Sequence, residues 1–111
     1  MFQQTGCAAC HRPELVTANG KTFTPFTDLL LHDMGPGLAD GIGEGVATGR
    51  EWRTAPLWGL GAATRFLHDG RARTLTEAIE LHDGEGAGAR HRFRALTPAD
   101  QDRLLEFLKA L

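Results

Sequence analysis

The sequence predicts a mainly α single domain spanning residues 1–111. Two late segments carry helix start signals and helical apolar spacing. No stretch alternates apolar and polar residues long enough to promise a substantial strand. The 14 glycines concentrate in long irregular connections. A chain of this length makes one domain and buries a limited fraction of its surface, so a large cofactor would supply missing core.

The elements are taken in chain order. Phe2 to Cys10 is short and polar-to-small, and reads as helical up to Cys7-Ala8-Ala9-Cys10-His11. Pro13 stops any helix there, and its carbonyl is expected to accept the Nδ1 proton of His11. Residues 14 to 27 hold threonines, Asn19-Gly20 and Pro25, the composition of a loop or brief hairpin. Asp28 to Met34 is expected to form one or two helical turns, ended by Gly35-Pro36-Gly37. From Gly35 to Gly49 glycine recurs without a phosphate-loop pattern. A flexible loop is one reading, and a chain pressed against a flat cofactor is the favoured one. Phe66-Leu67-His68-Asp69-Gly70 has the chemistry of a tight turn. Thr74 opens a capping box with Glu77, and its helix is predicted to run to His82 or Asp83, with Gly84 as the C′ residue. Leu75, Ala78, Ile79 and His82 share one face of it. Arg90-His91-Arg92-Phe93-Arg94 reads as a basic, solvated loop. The last helix starts at Thr97 with Pro98 at its first position, and Leu104, Leu105, Leu108 and Leu111 form its buried stripe.

The chemistry lies in Cys7-Ala8-Ala9-Cys10-His11. This spacing is that of a c-type haem attachment site. Each thiol adds to one vinyl group, two intervening residues span the two vinyls, and the following histidine falls under the iron as its proximal ligand. These are the only two cysteines in the chain. A closed zinc site would want a second paired motif, and none exists. A redox dithiol would be expected near a βαβ pattern, which is absent. One covalently attached haem c is therefore expected, held by a cytochrome c-like domain with long glycine-rich loops around it. Covalent attachment happens outside the cytoplasmic membrane, so a periplasmic or otherwise exported location is expected. Because the motif begins at residue 7, the chain is expected to be a piece of something longer.

Haem iron has a sixth position, and five residues compete for it: His82, Met34, His68, His32 and His91. His82 leads, because it completes an otherwise apolar helix face. Met34 is the alternative, although a methionine beside leucines is more often core. Trp58 is expected to be core as well, with haem packing or a partner-facing edge as the other readings.

The chain resembles the C-terminal haem domain of the bacterial di-haem cytochrome c peroxidase superfamily, nearest its di-haem thiol oxidoreductase-like branch. The resemblance rests on Gly6-Cys7-x-x-Cys10-His11 and on Leu29-Leu30-Leu31-His32-Asp33-Met34-Gly35-Pro36-Gly37-Leu38-Ala39-Asp40-Gly41. It continues through Arg53-Thr54-Ala55-Pro56-Leu57-Trp58-Gly59-Leu60-Gly61 and Phe66-Leu67-His68-Asp69-Gly70-Arg71-Ala72-Arg73-Thr74-Leu75-x-x-Ala78-Ile79-x-x-His82. The resemblance implies a six-coordinate electron-transfer haem whose distal ligand lies fourteen residues after the turn histidine, at His82 here. It also implies that His68 lies close to the haem and that Arg53 pairs with a propionate. The family's Pro-Leu-Arg is Pro56-Leu57-Trp58 in this chain, which removes one arginine from that role.

Two function classes emerge. The first is an electron-transfer domain with a six-coordinate, bis-histidine haem, part of a longer di-haem protein and served by a redox protein partner or an adjacent haem domain. The alternative is a catalytic di-haem peroxidase or thiol oxidoreductase fragment with a displaceable sixth ligand. The isolated domain is not expected to be catalytic. The net charge of -2 argues against a nucleic-acid binder, and no apolar run approaches membrane-spanning length.

Overall fold

The computed structural model describes residues 1–111. Helical turns of all kinds cover 34 % of the chain, beside two small antiparallel sheets, so the fold mixes α and β. This corrects the mainly α, cytochrome c-like expectation. The cause is local. Strands of two or three residues are too short to show an alternating pattern, and one of them replaces predicted helix.

The replaced segment is 28–34. Asp28 turns its carboxylate back onto the Leu30 N–H at 2.9 Å, and Leu29 takes a φ of 62°. That left-handed step at a non-glycine residue interrupts helical continuation. The chain leaves it extended as β3 (Leu31–Asp33), after the small hairpin of β1 (Leu15–Val16) and β2 (Thr22–Phe23). The hairpin agrees with the sequence reading. β3 pairs with β4 (Glu51–Arg53), setting Leu31 opposite Arg53, His32 opposite Trp52 and Asp33 opposite Glu51.

The N-terminal segment is also less helical than expected. It is a run of turns leading to a single 3-10 turn at Cys7–Ala9, entered through Gly6 at a φ of 84°. α1 (Leu75–Glu80) begins as predicted. Thr74 Oγ1 accepts the Glu77 N–H at 3.0 Å, and the Glu77 carboxylate accepts the Thr74 N–H at 3.2 Å. It ends before His82, with Leu81 as its C-cap.

The basic loop is instead α2 (Ala87–Arg94), following a 3-10 turn at Gly84–Gly86. Its arginines find partners on other segments: Arg90 pairs with Asp83, Arg92 donates to the Thr5 carbonyl and Arg94 makes an exposed pair with Glu80. Charge runs of this kind usually mark a solvated face; here chain segments on several sides supply acceptors. α3 (Pro98–Lys109) is capped by Thr97 as expected.

Phe93 of α2 with Leu104 and Leu108 of α3 forms the core, joined by partly buried Leu75, Ile79 and Phe2. Six hydrophobic residues and Pro25 are the only apolar side chains buried in the whole chain. Leu29, Leu30, Leu31, Ile42, Val46 and Trp58 are exposed. Trp58 is therefore not core, contrary to expectation; it tilts against Phe23 with ring centres 6.4 Å apart. No helix is long and apolar enough to cross a membrane.

Candidate functional site

Gly6 enters the turn at Cys7–Ala9 and His11 closes it, its N–H donating to the Cys7 carbonyl at 2.9 Å. One turn of chain thus carries Cys7, Cys10 and His11 together. Both cysteines are free thiols and partly buried. Cys7 Sγ lies 3.3 Å from Thr5 Oγ1. Burial, followed by the nearby Asp28 and Glu85 carboxylates, pushes the Cys10 thiol pKa up.

His11 Nδ1 lies 3.1 Å from the Phe26 carbonyl. A carbonyl only accepts, so Nδ1 carries the proton and Nε2 keeps a free lone pair. The orienting oxygen is Phe26, not Pro13 as expected from proximity in sequence. Phe26 adopts a φ of 54°, a conformation uncommon for a bulky residue, and in it the carbonyl meets His11. No local signal could have shown a partner fifteen residues away.

His82 lies just beyond α1 and is held in the same way, with Nδ1 2.7 Å from the Ala78 carbonyl. Its Nε2 is also left with a lone pair. Burial lowers the pKa of both imidazoles, against the opposing effect of these backbone hydrogen bonds. Both are thus kept in the neutral form a metal ion requires.

The two rings lie with centres 6.3 Å apart. A ring nitrogen sits roughly 1.1 Å from its ring centre, and a metal–imidazole bond is about 2.0 Å long. Two imidazoles meeting one ion from opposite sides therefore separate their centres by about 6 Å. The observed spacing matches. Three further features fit a haem at this place. The core is thin, exposed leucines lie along 29–31, and the Arg90 Nε is buried without an acceptor. An orphaned guanidinium donor beside the His82–Asp83 segment suits a carboxylate.

The other candidates have different surroundings. Met34 flanks His82: its methyl and the His82 ring edge both adjoin Gly86. His68 stacks on Trp52 with ring centres 3.5 Å apart and planes 9° from parallel. Trp52 in turn donates to the Leu38 carbonyl at 3.1 Å. The sequence reading did not single out Trp52; its place opposite His32 in β4 emerges only from the pairing. Arg53 is exposed at the end of β4. His91 is exposed on α2, and His32 is held by Asp28 and Glu85. Cys10, Asp28 and His32 offer donor atoms within 4.8 Å of one another, but both His32 nitrogens already face carboxylates, leaving none for a metal.

A family model described as "Di-haem oxidoreductase, putative peroxidase" matches residues 1–111, the whole chain. No curated protein and no solved structure is significantly similar to it.

Proposed function

Because the chain belongs to the di-haem oxidoreductase family and so to the haem-dependent redox proteins, we propose that it is a c-type haem domain that passes electrons through a six-coordinate, bis-histidine site. The observation that carries this reading is the His11–His82 pair, 6.3 Å apart with each Nδ1 tied to a backbone carbonyl. The haem supplies a one-electron carrier. The residues of the chain do the rest.

Cys7 and Cys10 would hold the porphyrin through thioether bonds, and His11 would be one ligand of its iron. His82 would be the other ligand, its ring orientation fixed by the Ala78 carbonyl. Met34 packs beside His82 as a neighbour. Arg90 and Arg53 offer guanidinium groups for the haem carboxylates, Arg90 from a buried position and Arg53 from an exposed one. His68 keeps the Trp52 ring in place near β3. Two imidazole ligands hold the potential below that of a histidine–methionine site, since thioether ligation raises it. A strongly held distal histidine also blocks peroxide or thiol access, which sets this reading against a catalytic one.

Residues 1–111 form one haem domain of a longer, exported di-haem protein. A second haem domain or a redox protein is its electron-transfer partner. The test is a set of measurements on the haem-loaded chain. The pigment should survive acid-acetone extraction, cycle reversibly between oxidised and reduced forms, and give negligible peroxide turnover. Extractable pigment would remove the covalent attachment. Turnover like that of a peroxidase would remove the electron-transfer assignment.

A further inference from the structure

His32 is gripped from both sides. Its Nδ1 lies 2.8 Å from Glu85 Oε2 and its Nε2 2.9 Å from Asp28 Oδ2. The second oxygen of each carboxylate is also engaged: Glu85 Oε1 accepts the Asp33 N–H and Asp28 Oδ1 the Leu30 N–H, each at 2.9 Å. Ionised carboxylates only accept, so both imidazole nitrogens donate and the ring is an imidazolium. The His32 side chain is 16 % exposed and that of Asp28 6 %, so water screens this half of the bridge less than a surface ion pair, whereas Glu85, 56 % exposed, leaves its half open to solvent.

The ends of the bridge matter more than its strength. Glu85 stands three residues after His82. Asp28 stands two residues after Phe26, whose carbonyl orients His11. Gly84, at a φ of 53°, lets the backbone after His82 lie directly against Asp33, where a side chain would collide with the Asp33 carbonyl. His82 itself is beyond the regular hydrogen bonding of α1: its N–H makes a turn bond to the Ile79 carbonyl at 3.1 Å, and its ring is tied to the Ala78 carbonyl at 2.7 Å. These two bonds anchor His82 on its α1 side, and residues 83–86 anchor it on the other.

We propose that His32 is a positioning residue for the axial pair: the Asp28–His32–Glu85 bridge ties the His82 segment to the His11 segment and holds the distal imidazole on the iron. This rests on the bis-histidine reading above. The same bond lengths would serve general stability, so the test needs a readout that stability alone does not move.

The experiment uses the haem-loaded chain and three variants. His32→Leu cuts both ends of the bridge. Glu85→Ala cuts only the end next to His82 and serves if His32→Leu does not fold. Arg94→Ala removes a different ion pair, to Glu80 on α1 itself. Thermal melts establish which variants are folded, and carbon monoxide binding to the reduced chain reports how often His82 leaves. One charge-assisted hydrogen bond is worth about a tenfold change in such an equilibrium. The expected result is carbon monoxide association about tenfold faster in His32→Leu and Glu85→Ala, with a larger high-spin fraction, and no change in Arg94→Ala. Folded bridge variants with wild-type association, or equal acceleration in Arg94→Ala, would overturn the proposal. A wild-type chain lacking a bis-imidazole low-spin spectrum would overturn the underlying reading, and this proposal with it.

Discussion

His11 and His82 stand with ring centres 6.3 Å apart and planes tilted by 49°, each pinned at Nδ1 to a carbonyl of the main chain. The pinning fixes the tautomer, burial favours the neutral form of each ring, and the ring-centre spacing matches that of two imidazoles sharing one ion. All three properties come from the chain around two side chains, and the proposed bis-histidine site rests on them.

His32 titrates in the opposite sense to the axial pair. Hydrogen bonding to Glu85 first, and to Asp28 as well, raises its pKa despite the burial that opposes it. A raised folded-state pKa contributes stability that is complete below the unfolded value of about 6.5 and is lost as pH rises through the folded value. The stability difference between wild type and His32→Gln should therefore be larger near pH 6 than near pH 9. Denaturant titrations at the two pH values measure it, and an equal difference would contradict the bridge.

Arg90 brings a fixed positive charge, with a buried Nε, to the segment that carries His82. A cation near the iron disfavours the oxidised, more positive state. Arg90→Met should lower the reduction potential of the loaded chain, and Arg53→Ala, at an exposed position, should lower it less. Potentiometric titration of the two variants decides between them.

Trp52 joins the turn histidine to the β3–β4 sheet through a parallel stack and a hydrogen bond to Leu38. Trp52→Phe keeps an aromatic face but removes the donor and some overlap, at a cost of about 1–2 kcal/mol. Chemical denaturation should register that loss. Stability equal to wild type would mean the stack contributes nothing.

Leu104 is 1 % exposed at the centre of the three-residue core. Leu104→Ala should destabilise the chain by about 2–5 kcal/mol. In so thin a core that is a large share of total stability. Calorimetry of the loaded chain measures it.

The sequence made some of this legible and hid the rest for identifiable reasons. The Cys7–His11 motif, the Thr74 capping box, the Thr97–Pro98 helix start and the 15–23 hairpin all depend on near neighbours, and all appear where their residues place them. Helix-face spacing singles out His82 even though α1 ends two residues before it. The failures involve distant partners. Leu31–Asp33 is a strand because Glu51–Arg53 pairs with it, and Asp28 breaks the helix that its leucines suggest. The arginines of α2 find Asp83, Thr5 and Glu80, so a segment expected to be a solvated loop is a helix, with His91, Arg92 and Arg94 still exposed. Phe26 replaces Pro13 behind His11 because a left-handed residue brings its carbonyl there. Nothing in the spacing of single residues records such meetings.

The central claim is that His11 and His82 close one haem between them. Near-infrared magnetic circular dichroism of the oxidised, haem-loaded chain tests it most directly, with His82→Ala measured alongside. The expected spectrum is low-spin, with the charge-transfer band of two imidazole ligands and none from methionine, and His82→Ala should lose it. A methionine–iron band in the wild type, or an unchanged spectrum in His82→Ala, would contradict the claim.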